Sequence, residues 1–128
     1  MMRQQEMVRD FHDRFFADAR REPTIPSDEL LALRSRLLAE EANEFAQAAR
    51  ARNLVGMADA LADLLYVVLG TATVLGIDLE PVFAEVHRSN MTKEQSRQRI
   101  GKAVKGPDYS RPDVAGVLQA QGWHEAGR

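Results

Sequence analysis

The sequence predicts an all-α fold in a single domain. Apolar residues recur at three- and four-residue spacing in several separate stretches, and no stretch shows a convincing strand pattern. Serine, aspartate, glycine and proline fall where helices begin and end. The 128 residues can bury one sizeable core, and 45% apolar with 28% charged residues is the balance of a globular chain. One domain over 1–128 is therefore expected.

The first helix should run from about Gln4 to Ala19, with Met7, Val8, Phe11, Phe15 and Phe16 on its apolar face. Glu22 to Pro26 reads as a rigid connector, because two prolines fix the backbone and remove donors. Ser27 is a good N-cap, and Asp28 and Glu29 favour the first turn of a second helix reaching about Ala51. A third helix spans about Leu54 to Leu75, apolar almost all round from residue 60, with Gly76 as its stop. Its most apolar run, Leu64 to Ile77, is 14 residues between two aspartates. A membrane span needs about 20, so this run reads as a buried core helix. Asp78 caps a fourth helix, which tolerates Pro81 in its first turn and ends near Asn90. Residues 91–109 lack periodicity and read as a long loop or tail. Ser110 to Asp113 has the form of a capping box, opening a short helix over 110–120, with Trp123 docking the C-terminus.

The net charge is only -2, which argues against a general nucleic-acid binder. That balance hides an asymmetry. Residues 1–90 carry 10 basic and 15 acidic groups; residues 91–128 carry 7 and 4. An acidic body with a basic tail suits a metal-bound anion, although a solvated tail has the same arithmetic. With no cysteine, disulfides, thiolate zinc sites and cysteine nucleophiles are excluded. The polar first ten residues show no secretory signal, so a cytoplasmic location with no membrane is expected.

Carboxylates interrupt two apolar stripes. On the second helix Leu30, Leu33, Leu37, Ala48 and Ala51 form a stripe whose missing positions are Glu41 and Glu44. On the third, Asp59 and Asp63 sit one turn apart, in line with Gly56, Tyr66, Gly70 and Thr73, whose small members permit close helix approach. A Glu–Glu pair alone is usually a solvated face, and Asp59 with Asp63 could simply cap a helix or meet Arg34. Four carboxylates on facing helices do not all ionise cheaply unless a cation neutralises them. An all-oxygen set selects Mg²⁺, or Mn²⁺ as a substitute, over zinc.

At these residues the sequence resembles the all-α NTP pyrophosphatase superfamily, which includes MazG-like proteins, dimeric dUTPases and phosphoribosyl-ATP pyrophosphatases. Its signature is a Glu-Glu-x-x-Glu helix followed by a Glu-x-x-Asp helix. The first is present as Glu40-Glu41-Ala42-Asn43-Glu44, and Asp63, followed by Leu64-Leu65-Tyr66, matches the second motif's aspartate. That motif's glutamate falls on Ala60, and Asp59 lies one residue earlier. Residues 76–79, 82–93, 101–105 and 111–114 are similar to the fourth helix, its exit and the tail of one MazG-like branch. The resemblance covers roughly residues 8–118. It implies a four-helix-bundle-type MazG-like fold with a short fifth C-terminal helix. The third helix is too apolar all round for a lone chain of 128 residues to cover easily, so dimerisation into a homodimer or homotetramer is expected to complete the fold.

The resemblance also implies an enzyme that cleaves a nucleoside triphosphate between the α- and β-phosphates, giving monophosphate and pyrophosphate, in nucleotide-pool house-cleaning. Mg²⁺ would be held by Glu41, Glu44 and Asp63, with Asp59 as fourth ligand. Glu40 would bind a second metal or orient the attacking water. Bound metal lowers the pKa of water and stabilises phosphate charge. Asn90 and Lys93 would contact substrate, and Lys102, Lys105 and Tyr109 would close over the phosphates. The first helix would border the base pocket, while Met7, Phe11 and Phe15 remain mainly core. His87 reads as a surface or structural residue.

A ferritin-like di-iron site needs Glu-x-x-His pairs, and no histidine here has a glutamate three residues before it. No Walker loop is present. The alternative function is a non-catalytic helical dimerisation or regulatory module whose metal site has decayed at position 60.

Overall fold

A computed structural model describes residues 1–98 and 100–125. Their order is α1 (Arg3–Phe15), α2 (Asp28–Arg50), α3 (Leu54–Val74), α4 (Leu79–Asn90), β1 (Glu94–Gln95), β2 (Ala103–Val104) and α5 (Val114–Ala120). The fold is all-α, with one small ribbon in which Glu94 pairs with Val104 and Gln95 with Ala103, antiparallel. No strand was expected in the tail; two residues per strand are too short to show a period.

The helix starts follow capping chemistry. Ser27 Oγ accepts from Leu30 N at 3.2 Å, and Asn53 Oδ1 accepts from Gly56 N at 3.0 Å. Asp78 caps α4 by accepting from Glu80 N. Gly76 ends the α3 region in the left-handed conformation, φ 71°, and the Glu22 carbonyl lies where its side chain would be. Two expectations are corrected at helix ends. α1 stops at Phe15 rather than Ala19, because Phe16 N and Ala17 N both turn back to His12 O and Ala17 has φ 52°. α5 begins at Val114 rather than 110. Asp113 is its cap, accepting from Gly116 N, while Ser110 Oγ accepts from Arg88 instead.

α3 is the hub. α2 packs along it, with Arg34 reaching Val67 and Thr71 at one end and Ala48 lying beside Gly56 at the other, so the two run antiparallel. α1 lies across α3: Gln5 donates to Ile77 O and accepts from Leu79 N, and Phe11 meets the Tyr66 ring edge-on. The connector crosses the end of α3, where Arg20 N and Thr24 N satisfy Thr73 O and Leu75 O. Trp123 docks here with Pro23, Ile25, Leu75 and Leu118. α4 packs chiefly on α5.

The core is small and lies at the C-terminal end of α3. Val8, Leu69, Ala72 and Val74 are buried. Of the run Leu64 to Ile77, expected to be buried, Leu69, Ala72 and Val74 are, whereas Leu65 is 51% exposed and Tyr66 is exposed as well. Met7, Phe11 and Phe15, expected in the core, are exposed too. The 14-residue apolar run understates α3. The helix has 21 residues and is long and apolar enough to cross a membrane by length and composition, although it carries Asp59 and Asp63 and packs against α1 and α2.

Candidate functional site

Antiparallel packing decides which carboxylates meet. With Arg34 opposite residues 67–71 and Ala48 opposite Gly56, the intervening turns of α2 face residues near 60–63. Glu41, Glu44 and Asp63 accordingly converge, each offering an oxygen within 4.8 Å of the others. Glu44 is exposed and Glu41 half-buried, and Glu41 Oε2 is fully buried without a hydrogen-bond partner. Such an orphan acceptor costs free energy unless a cation, a proton or a water meets it.

Electrostatics point the same way. Burial pushes the Glu41 carboxyl above its ordinary value, followed in effect by the neighbouring Glu44 carboxyl and by the charges of Asp63 and Glu40. The donors are all carboxylate oxygens, which fits a hard divalent cation.

The structure does not bring Glu40 or Asp59 into this group. Both are exposed. Ala60, at the place of the signature's second glutamate, is buried and carries only a methyl group. Asp59 therefore lies about 100° around the helix from that place. Arg34 does not pair with Asp59 or Asp63. It is buried, and donates Nε to Thr71 Oγ1 at 3.1 Å and Nη2 to Val67 O at 3.0 Å.

The other candidates belong to the end of α4 and the tail. Asn90 is exposed in the last turn of α4, and its carbonyl accepts from Lys93 N. Lys102 is exposed, and its carbonyl accepts from Ser96 N. The Lys105 ammonium lies 5.1 Å from the centroid of the half-buried Tyr109 ring. His87 is exposed, as expected.

Sequence reasoning missed a buried polar set behind the site. His12 Nδ1 and Asp18 Oδ1 are 2.8 Å apart, and His12 Nε2 and Arg34 Nη2 both crowd the face of Gly70. The small residue at position 70 was the available signal: it makes room for two polar side chains rather than for a helix backbone. An apolar cleft of about 170 Å³ lies between α1 and α3, lined mainly by Met7, Val8, Leu65, Tyr66 and Leu69.

Compared with known families, residues 8–90 match the family model described as phosphoribosyl-ATP pyrophosphohydrolase. No curated protein matches the chain.

Proposed function

Since the chain belongs to the phosphoribosyl-ATP pyrophosphohydrolase family, within the all-α NTP pyrophosphatase superfamily, we propose that it hydrolyses a nucleoside or deoxynucleoside triphosphate between the α- and β-phosphates, with Mg²⁺ and in nucleotide-pool house-cleaning. The observation that carries this reading is the convergence of Glu41, Glu44 and Asp63 around a buried oxygen that lacks a partner.

Glu41, Glu44 and Asp63 would hold the cation. When bound, it supplies a Lewis acid for phosphate oxygens and lowers the pKa of water. Glu40, one residue before the cluster and exposed, accepts the proton of the attacking water at a carboxylate oxygen. The water oxygen bonds to phosphorus as the bridging P–O bond between the α- and β-phosphates breaks, releasing monophosphate and pyrophosphate. Asn90, Lys93, Lys102 and Lys105 supply hydrogen bonds and positive charge to the phosphates, and the apolar cleft beside Tyr66 receives the base.

A homodimer or homotetramer completes the site. Its support is the amount of apolar surface on the single chain: Val55, Leu61, Leu65 and Phe83 are all exposed.

The test is a pyrophosphate-release screen across canonical and modified (d)NTPs and phosphoribosyl-ATP, with Mg²⁺ and Mn²⁺. Pyrophosphate from at least one nucleotide, lost on Glu44→Gln, is the expected result. No release from any of them would favour a non-catalytic helical module, with Ala60 marking the loss of the site.

A further inference from the structure

The described residues on either side of position 99 leave the end of α4 at 93 and return to it at 110. At the outgoing end Lys93 N donates to Asn90 O at 3.1 Å. At the returning end Ser110 N donates to Thr92 Oγ1 at 2.9 Å. Beside this junction the Arg88 guanidinium donates Nε and Nη2 to the two oxygens of Glu85, at 2.8 and 2.9 Å. Its remaining reach goes to the tail: Nη1 to Ser110 Oγ at 3.2 Å and Nη2 to Arg111 O at 3.1 Å. Glu85 Oε2 also accepts from Asp113 N at 2.7 Å. The residue before Ser110 is Tyr109, whose ring carries the Lys105 ammonium.

An exposed Glu–Arg pair one turn apart on a helix contributes little by itself. This pair differs because three further hydrogen bonds lead from it to backbone and side chains of the tail. What it orders is therefore the tail rather than α4. A lysine on a free loop loses rotamer freedom when it grips an anion. One resting on a ring whose neighbouring residue is pinned has less to lose, which is how pre-organisation raises affinity.

Building on the pyrophosphohydrolase reading, we propose that Glu85 and Arg88 are positioning residues for the polyphosphate of the substrate: they fix Ser110, and through it Tyr109, so that Lys105 presents its ammonium to the anion. Neither touches substrate.

The experiment is a double-mutant cycle on the full chain, read by calorimetric binding of inorganic tripolyphosphate in excess Mg²⁺. Arg88→Ala and Lys105→Ala should each weaken binding about tenfold. The double variant should bind no more weakly than Lys105→Ala alone. Glu85→Gln, which releases Arg88, should couple to Lys105 in the same way. Arg88→Lys should not rescue, because one ammonium cannot bridge Glu85 and the tail as the planar fork does. In turnover, KM should rise with kcat nearly constant. Additive losses, full rescue by Arg88→Lys, or a wild type that binds no tripolyphosphate would each overturn the proposal. Coupled losses in a protein that releases no pyrophosphate from any nucleotide would remove the pyrophosphohydrolase reading and leave the positioning role standing. Turnover with additive losses would do the reverse.

Discussion

Glu44 is the member of the carboxylate group whose change is easiest to interpret, because it is exposed and its replacement by glutamine alters charge with little change of shape. Glu44→Gln is expected to lower pyrophosphate release at least about 100-fold, the order seen when a main electrostatic stabiliser is lost. The metal-free protein should melt at the same temperature or higher, since one like charge beside the raised Glu41 carboxyl is gone. Activity loss together with a lower metal-free melting point would mean that Glu44 serves the fold instead. Asp59→Ala separates two site compositions. Asp59 lies outside the converging group, so the loss should be far smaller than for Glu44→Gln; an equal loss would place Asp59 at the metal in the role that Ala60 vacates. Gly70→Ala tests the buried polar set. In a helix interior the change alone would stabilise by about 0.8–1.0 kcal/mol. Here the new methyl would meet Arg34 Nη2 at 2.7 Å and His12 Nε2 at 2.8 Å. Displacing the guanidinium breaks hydrogen bonds from a charged donor worth about 1.5–3 kcal/mol each, so net destabilisation is expected in a denaturant melt.

Whole helices were largely legible in the sequence because their signals are local. Ser27, Asp78 and Gly76 mark ends that capping chemistry and backbone sterics fix without help from the rest of the chain. Glu41, Glu44 and Asp63 were legible because helical spacing puts them on stripes that must face another helix, and antiparallel packing then brings them together. What the sequence did not show depends on tertiary partners. α1 ends early where Asp18 meets His12, and the start of α5 passes from Ser110 to Asp113 because Arg88 engages the serine. The docking of α4 on α5 was also illegible, since it rests on Glu85 and Arg88 bonding residues more than 20 positions away. That contact has a pH signature. The Arg88 side chain and the Asp113 N–H hold the Glu85 carboxyl down to about 2. A carboxyl depressed in the folded state stabilises fully above its ordinary unfolded value, and the contribution is lost as pH falls from there through about 2. The stability gap between wild type and Glu85→Gln, measured by urea unfolding with Trp123 fluorescence, should therefore be widest near neutral pH and close toward pH ~2. A gap that stays constant across this range would show that the charge of Glu85 is not what joins α4 to α5.

At the scale of the molecule, the described chain is a three-helix hub against which α4 and α5 dock through Gln5, Leu118 and Trp123, with most of its core toward the C-terminal end of α3. Two expectations follow from that shape. Divalent cation should raise the melting temperature, because it binds only where Glu41, Glu44 and Asp63 are assembled, and a ligand that prefers the folded state stabilises it by mass action. Millimolar Mg²⁺ or Mn²⁺ against EDTA tests this, and identical melts would remove the main support for the site. The second concerns the exposed half of α3. Val55 at 81%, Leu61 at 53% and Leu65 at 51% lie on the helix that carries Asp63, and Phe83 at 66% extends apolar exposure to α4. Isolated exposed apolar residues are ordinary, but several on one long helix exceed what a monomer usually leaves in water. Helix 3 of a second copy is a suitable cover, because closed two-fold pairing hides the same surface on both chains. Light scattering at micromolar concentration should report at least a dimer. Leu61→Arg should dissociate it while the folded chain survives, since Leu69, Val74 and Val8 carry the core and Leu61 takes no part in it. Pyrophosphate release should fall with dimer content if the second copy completes the site, and should be unchanged if each chain works alone. A wild type that runs as a monomer would leave α3 with an exposed apolar face and would refute the dimer outright.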